Sequence, residues 1–265
     1  MYSKLQLLNK YIRYKLKAAN GKGHGVHSPF IFEFIQQVLN DDRTYYCFAQ
    51  IESLRQQLKQ DNSLLTIQDF GAGSRVNSHY QRSVASIASS ALKPKKFGQL
   101  LFKMVNHYQP QTILELGTSL GITTSYLASA NTNAKVITME GAKEVAAVAL
   151  KNFKKLGLTN IRLEEGNFDI ILEQVLEQLP VIDFAFIDGN HRRDPTIAYY
   201  EKLLPKINEN SILIFDDVHW SEEMEQAWEY IKNHEEVTLS IDLFFIGIVF
   251  FRKESKIKQH FTIRF

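Results

Sequence analysis

The sequence predicts an α/β fold, a doubly wound open sheet of mostly parallel strands covered by helices, behind a mainly helical N-terminal extension. Three observations predict it. From residue 112 onward, strand-like and helical runs alternate regularly, which is the pattern of βα units and a parallel sheet. The first of those strands, Thr112-Ile113-Leu114-Glu115-Leu116, is apolar and β-branched and carries one acid near its end, with Gly117 and Gly121 following and then a helical run of small residues. After residue 234 the alternation stops, and two strand-like runs (237–244 and 245–251) follow each other directly, as in an antiparallel hairpin.

Composition bounds the possibilities. A chain of 265 residues with 45% hydrophobic content suits one large domain, or one domain with an elaborated end, and excludes the disordered and membrane-embedded classes. No apolar run approaches the roughly 20 residues needed to span a bilayer, and lysines and tyrosines interrupt every apolar stretch in residues 1–20, unlike a signal peptide. The single cysteine, Cys47, has no internal disulfide partner and reads as inert packing in a reducing, cytoplasmic setting. The net charge of +2 is unevenly spread: residues 1–32 carry Lys4, Lys10, Arg13, Lys15, Lys17 and Lys22 with no acid, and residues 70–114 carry a second basic block. These blocks read either as solvated helix faces or as a patch for an anionic substrate or RNA.

The elements follow in order. Leu5, Leu8, Ile12, Leu16 and Ala19 recur at helical spacing, so the first segment is expected to be an amphipathic helix docked on the protein's own core, with membrane-surface attachment as the alternative. Ser28 as cap and Pro29 at the first helical position open a helix to about residue 39. His24 and His27 precede it, and with no third ligand nearby they read as loop residues rather than a metal pair. A helix is expected over 51–59 and a strand over 64–70, ending in Asp69-Phe70-Gly71-Ala72-Gly73-Ser74. That turn rivals the one at Gly117, but no second strand is evident between it and residue 112, so it reads as structural. Strands are then expected at 112–116, 135–139, 160–164, 182–187 and 211–215, with helices at 122–130, 142–156, 169–179, 195–207 and 221–234. Gly157 stops the second of these helices. Residues 259–265 are read as one further short strand.

In open α/β sheets ligands bind beyond the carboxyl ends of the strands, so the strand exits are the candidate site. The first exit offers Glu115, Gly117, Thr118, Ser119 and Gly121, with Thr123 in the first turn of the helix behind; glycine permits close approach, and the first helical amides are donors. The second offers Glu140 and Gly141, a carboxylate placed for vicinal ribose hydroxyls. The third offers Asn167 and Phe168, an amide and a ring suited to adenine. The fourth and fifth offer Asp188, Asn190 and His191, and Asp216 with Asp217. A nucleoside-containing cofactor accounts for the first three exits and leaves the last two for chemistry.

From residue 96 to the final hairpin, about two thirds of the chain, the sequence resembles class I S-adenosylmethionine-dependent methyltransferases, specifically the metal-dependent catechol O-methyltransferase-like group. The resemblance rests on Phe97-Gly98-Gln99, Leu114-Glu115-Leu116-Gly117, Ile137-Thr138-Met139-Glu140, Phe186-Ile187-Asp188 and Phe215-Asp216-Asp217. It implies a Rossmann-like seven-stranded sheet of order 3-2-1-4-5-7-6 with the last strand antiparallel, in a methyltransferase domain at 96–265 behind an extension at 1–95. It also implies that Gly117 and Ser119 line the methionine part of S-adenosylmethionine, that Glu140 holds the ribose, and that Asn167 and Phe168 flank the adenine. By the same resemblance, Asp188, Asp216 and Asp217 hold a divalent cation, Mg²⁺, whose preference is for oxygen donors. Two positions depart from the family pattern: Asp217 stands where asparagine is usual, and His191 stands in place of the lysine base.

The chemistry so implied is metal-assisted: the cation binds and acidifies a substrate hydroxyl, His191 removes the proton, an imidazole being a competent base near neutral pH, and the oxyanion attacks the sulfonium methyl in line. His219 competes for the role of base, and Trp220 reads either as a substrate wall or as core. Alternatively, Asp188 caps a turn and Asp216 and Asp217 cap the helix that follows. The expected function is O-methylation of a small hydroxylated substrate. The alternatives are an RNA methyltransferase on the same fold, suggested by the basic blocks, and a non-catalytic cofactor-binding protein. A homodimer is the expected assembly if the N-terminal helices pair subunits.

Overall fold

The computed structural model describes residues 1–24, 26–68, 79–255 and 257–265. The turn expected at Asp69-Phe70-Gly71-Ala72-Gly73-Ser74 lies outside them. In chain order the elements are α1 (Lys4–Lys17), α2 (Pro29–Phe34) continued by one wide turn (Ile35–Leu39), α3 (Tyr46–Leu58), β1 (Leu64–Gln68), β2 (His79–Ser83), α4 (Val84–Ser90) and α5 (Lys95–Tyr108). Then come β3 (Thr112–Leu116), α6 (Ile122–Ala130), β4 (Lys135–Glu140), α7 (Lys143–Lys155), β5 (Ile161–Glu165), α8 (Phe168–Glu177), β6 (Phe184–Ile187) and α9 (Arg193–Leu203). The chain ends with β7 (Ile212–Asp216), α10 (Glu222–Asn233), β8 (Leu239–Asp242), β9 (Ile246–Phe250) and β10 (Gln259–Thr262). The fold is α/β and Rossmann-like, as expected.

Two compact units divide these elements: residues 42–175, and residues 1–41 together with 176–265. In the first, β3 and β4 pair in parallel, as do β4 and β5, giving the order β5-β4-β3 of the expected 3-2-1 segment. The strands β3 and β4 are almost continuously buried, as a sheet covered on both faces requires. In the second unit the order is β6-β7-β9-β8, which is the expected 4-5-7-6, with β6 and β7 parallel and β9 antiparallel to both its neighbours. The short strand β10, expected from residues 259–265, adds to the outside of β8 in parallel.

Three readings of the N-terminal part need correction. A short strand, β2, does precede residue 112: it pairs antiparallel with β1, from Leu64 opposite Ser83 to Gln68 opposite His79. Its polar sequence, His79-Tyr80-Gln81-Arg82-Ser83, lacks the apolar alternation that marks a strand, which is why it was not evident. The helix α3 begins at Tyr46, five residues before its expected start, because Cys47 and Phe48 are buried along with Ile51, Leu54 and Leu58. The third correction concerns α1. It starts as its sequence dictates, with the Ser3 hydroxyl accepting from the Gln6 amide and the Gln6 side chain accepting from the Ser3 amide. The face it docks is not the one the leucine spacing suggested. Tyr14 and Ala18 are buried with Phe244, and Leu7, Tyr11 and Phe245 pack against them, whereas Leu5, Leu8, Ile12 and Leu16 face outward.

The chain after α1 is joined to the sheet edge. The Ala19 amide donates to the Thr262 carbonyl (2.8 Å) and the Arg264 amide to the Ala19 carbonyl (3.1 Å), while the Tyr14 hydroxyl donates to the Ile263 carbonyl. Burial pushes the Tyr14 phenol well above its ordinary pKa, so it acts there as a neutral donor. The Ser28 cap and Pro29 open α2 as expected, and Ser221 caps α10 with Glu222, Glu223 and Glu225 in its first turn, where the helix dipole favours acids.

Candidate active site

In the unit formed by residues 42–175, the candidate residues converge on one framework of backbone amides. The Gly117 and Thr118 amides both donate to the Met139 carbonyl, at 3.1 and 3.0 Å, which fastens the turn after β3 to the end of β4. Glu140 then ties that turn from the other side. One carboxylate oxygen accepts from the Ser119 amide at 2.8 Å, and the other accepts from the Ala142 amide at 2.9 Å. Burial raises the Glu140 carboxyl above the ordinary carboxylate range, opposed by the amides of Ala142, Ser119 and Gly141. Three amides thus share the four lone-pair sites of the carboxylate, which leaves room for a further donor. The Gly166 amide donates to the Glu140 carbonyl (2.9 Å), and Asn167 opens α8 through its side-chain oxygen, which accepts from the Asp169 amide (3.0 Å). Asn167 and Phe168 are half-buried at this third exit.

Beneath the turn is a ladder of hydroxyls. Glu115 is fully buried, and one of its oxygens accepts from Thr124 (2.5 Å) and Thr138 (2.6 Å); Thr138 in turn meets the Thr118 hydroxyl at 2.6 Å. Glu115 and Thr118 thus support the turn from within the protein, and Thr123 is buried beside them. Gly121, at φ +80°, begins α6 in a left-handed conformation, and a Cβ there would meet the Phe153 ring at 2.5 Å, so this glycine serves helix packing. Gly117, at φ +107°, is the other left-handed glycine of the turn. No signal in the sequence revealed the contact of Ser119 with Glu140, because it joins residues 21 apart that only the parallel pairing of β3 and β4 brings together.

The other unit holds the remaining candidates. Asp188 follows β6, and its carboxylate lies 3.5 Å from His191 Nε2. Asn190 donates to the Tyr199 hydroxyl (3.1 Å) and accepts from Arg192 (2.9 Å), which holds the loop carrying His191. Asp216 is buried at the end of β7. Asp217 stands at φ +52°, its amide donating to the Phe245 carbonyl at 2.7 Å and its carbonyl accepting from the Trp220 amide at 2.9 Å. Among the described residues, no group of three or more His, Cys, Asp and Glu side chains is gathered as a metal site would require, neither from Asp188, Asp216 and Asp217 nor around the exposed His24 and His27.

His219 is not available as a base. Its Nδ1 meets Glu225 at 2.9 Å and its Nε2 meets Asp242 at 2.7 Å, so both ring nitrogens are held. Burial lowers its pKa, but Asp242 and then Glu225 outweigh that and raise it above the ordinary value of 6.5. Glu225 also accepts from the Tyr2 hydroxyl (2.7 Å) and from Lys10 (2.9 Å), and the Phe244 ring stacks on the imidazole. This is a structural clamp between α1, α10 and β8. The acidic start of α10 and the acid-free α1 were its only trace in the sequence. Trp220 is half-exposed and therefore not core, and the thiol of Cys47 is buried and pushed up to about 11, the inert state expected of it.

Comparison with known proteins settles the family. A family described as a methyltransferase domain matches residues 114–218. A curated catechol O-methyltransferase from Niastella koreensis is 31% identical over 160 residues, which is 59% of this chain and 70% of the relative. The chain belongs to the catechol O-methyltransferase-like group of class I S-adenosylmethionine-dependent methyltransferases. Solved structures agree on the fold. The Bacillus cereus O-methyltransferase in complex with S-adenosylhomocysteine superposes with a TM-score of 0.54 at 19% identity, covering 81% of this chain and 95% of its own. A Podospora anserina methyltransferase, also with S-adenosylhomocysteine, gives 0.60 at 12% identity, with 96% and 98% covered. The chain is accordingly an S-adenosylmethionine-dependent methyltransferase. The framework around Glu140 suits that cofactor chemically: a partly exposed carboxylate with spare lone pairs stands beside a left-handed glycine turn.

Proposed function

We propose that this methyltransferase transfers the methyl group to a hydroxyl of a small hydroxylated acceptor, with Glu140 holding the cofactor ribose and His191 taking the proton. The observation that carries the acceptor half of this reading is the contact of His191 with Asp188, the only one of the two candidate histidines left with a ring free of two acidic partners. S-adenosylmethionine supplies an electrophilic methyl on a sulfonium sulfur. His191 accepts the hydroxyl proton as the acceptor oxygen forms its bond to that methyl carbon; the carbon–sulfur bond breaks with its electron pair going to sulfur. Asp188, 3.5 Å from His191 Nε2, orients the ring for that transfer. Gly117 and Ser119 are assigned to the methionine part of the cofactor, and Asn167 and Phe168 to its adenine. Thr118, Thr123 and Glu115 are assigned to holding that turn in shape, with Gly121 and Gly141 completing it. Residues 1–95 are taken as an addition to a methyltransferase domain at 96–265, and a cytoplasmic setting belongs to the same reading.

The donor chemistry of Asp188, Asp216 and Asp217 suits a hard cation such as Mg²⁺. Among the described residues these carboxylates are not gathered into a cation cage, and no proton or methyl transfer above depends on a cation. The relative named for catechol directs the first assay. Methyl transfer to a panel of catechols and simple phenols is measured with and without EDTA. Turnover that survives the chelator supports the cation-free mechanism, and turnover abolished by it and restored by Mg²⁺ replaces it. His191→Ala is expected to lower kcat by roughly 10²–10⁴-fold, the usual contribution of a positioned base, with cofactor affinity unchanged. A variant of full activity would remove His191 from the role.

A further inference from the structure

The helix α1 has two apolar faces, and the protein uses one. Leu7, Tyr11, Tyr14 and Ala18 face Phe244 and Phe245. At about 100° per residue, Leu5, Leu8, Ile12 and Leu16 form a second stripe beside the first. Their side chains are 68%, 52%, 47% and 74% exposed, and Met1 ahead of them is 85% exposed. A continuous row of large aliphatic side chains left in water marks an interaction surface.

The borders of the stripe identify the partner. Helical spacing places Lys4 and Lys15 along one border, and Arg13 and Lys17 beyond Asn9 on the other. No acid occurs before Glu33, so no side chain of α1 itself offsets these cations. Lys10 lies on the docked side with Glu225, and Lys15 leans toward that side, donating to the Phe265 carbonyl at 3.0 Å, which leaves Lys4, Arg13 and Lys17 as the outward cations. An apolar strip bordered by cations on both sides complements a surface that is apolar within and anionic at its rim, which is a bilayer leaflet with acidic headgroups. A second copy of the chain complements it poorly: two stripes meeting about a two-fold axis bring their lysine and arginine borders together with no acid on either helix. RNA would engage the cations and leave the leucines against phosphate.

We infer that α1 is an interfacial helix that holds this methyltransferase on an anionic lipid surface. No helix among the described residues is long and apolar enough to cross a membrane, so the attachment is peripheral. The helix need not detach from the protein to bind. The Tyr2 amide donates to the Trp220 carbonyl (3.1 Å), Lys10 and the Tyr2 hydroxyl hold Glu225, and Ala19 is bonded to the strand at Thr262. Docking would therefore bring the loop from Asp217 to Trp220 to the lipid side of the molecule.

The test is co-sedimentation of the full chain with vesicles of phosphatidylcholine alone or mixed with phosphatidylglycerol, at low and high salt. Binding is expected to the mixed vesicles only and to weaken with salt. The double variant Leu8→Glu/Ile12→Glu is expected to bind at least about tenfold more weakly, since burial of even one such side chain is worth that factor. Its helical circular dichroism should be unchanged, because both residues are exposed in the fold. Arg13→Gln/Lys17→Gln is expected to weaken binding less, and only at low salt. Absence of binding to mixed vesicles overturns the inference. So does equal binding of wild type and Leu8→Glu/Ile12→Glu. A wild-type dimer that the same variant makes monomeric, without vesicle binding, assigns the stripe to a second copy, and an RNA gel shift lost in Arg13→Gln/Lys17→Gln without vesicle binding assigns the borders to nucleic acid.

Discussion

The exits of β3 and β4 and the exits of β6 and β7 solve the same geometric problem in different ways. Each must turn the chain sharply at the end of a buried strand. The first pair uses glycine at φ +107° and +80° with one side-chain-bearing residue, Ser119 at +48°, between them, and its carboxylate, Glu140, is fixed by backbone amides. The second pair places Asn190 at φ +67°, His191 at +36° and Asp217 at +52°, side-chain-bearing residues in a region that disfavours them. Strain of this kind persists where a particular side chain is required at the position. Under the proposed assignment, the cofactor side would rely mostly on glycine, backbone amides and a preset carboxylate, and the acceptor side on three side-chain-bearing residues held in this conformation.

The largest expected effect that would break this contrast is at Glu140. Glu140→Ala should weaken S-adenosylhomocysteine binding about 100-fold in calorimetry, since two charge-assisted hydrogen bonds are lost along with the ties to Ser119 and Ala142. Glu140→Gln, which keeps one oxygen acceptor, should lose less. Unchanged affinity in both would leave Glu140 a purely structural tie. Gly121→Ala should cost about 2–3 kcal/mol in urea denaturation, because its Cβ meets Phe153 at 2.5 Å in a left-handed conformation.

His219→Gln should cost roughly 1–2 kcal/mol, with a diagnostic dependence on pH. The folded state raises the imidazole pKa above 6.5, so the clamp's contribution is complete below that value and disappears as pH rises through the folded-state pKa. The stability gap between wild type and variant should therefore be wide at acidic pH and close toward alkaline pH. A gap independent of pH would mean that the ring stabilises by packing alone. The smallest effect sharpens the contrast most directly: His191→Gly should be more stable than His191→Ala by about 1 kcal/mol, the strain of a side chain at φ +36°, with both variants equally poor in turnover. Equal stabilities would remove the strain argument from the acceptor side.

Much of the fold was legible because its signals are local. The acid-ended strand before Gly117, the helix stop at Gly157, the Ser28-Pro29 start of α2 and the paired strands after residue 234 each rest on a few adjacent residues. The candidate residues of the first three strand exits were legible for the same reason, since parallel βα units bring successive exits to one edge. The polar hairpin strand β2 was not, nor was the clamp around His219, whose partners come from residues 2, 10, 225 and 242.

The N-terminal helix marks the boundary most clearly. Sequence alone determined that the first segment forms a helix and that Leu5, Leu8, Ile12 and Leu16 share one face of it. Periodicity reports which residues lie together, however, and not what lies opposite them. Only the tertiary structure decided that the face carrying Tyr11, Tyr14 and Ala18 is the one docked, because Phe244, Phe245 and the Ile263 carbonyl, more than 200 residues away, are what it meets. The same limit holds for His191 and His219: as sequence they are equivalent candidates, and the distances to Asp188, Glu225 and Asp242 distinguish them.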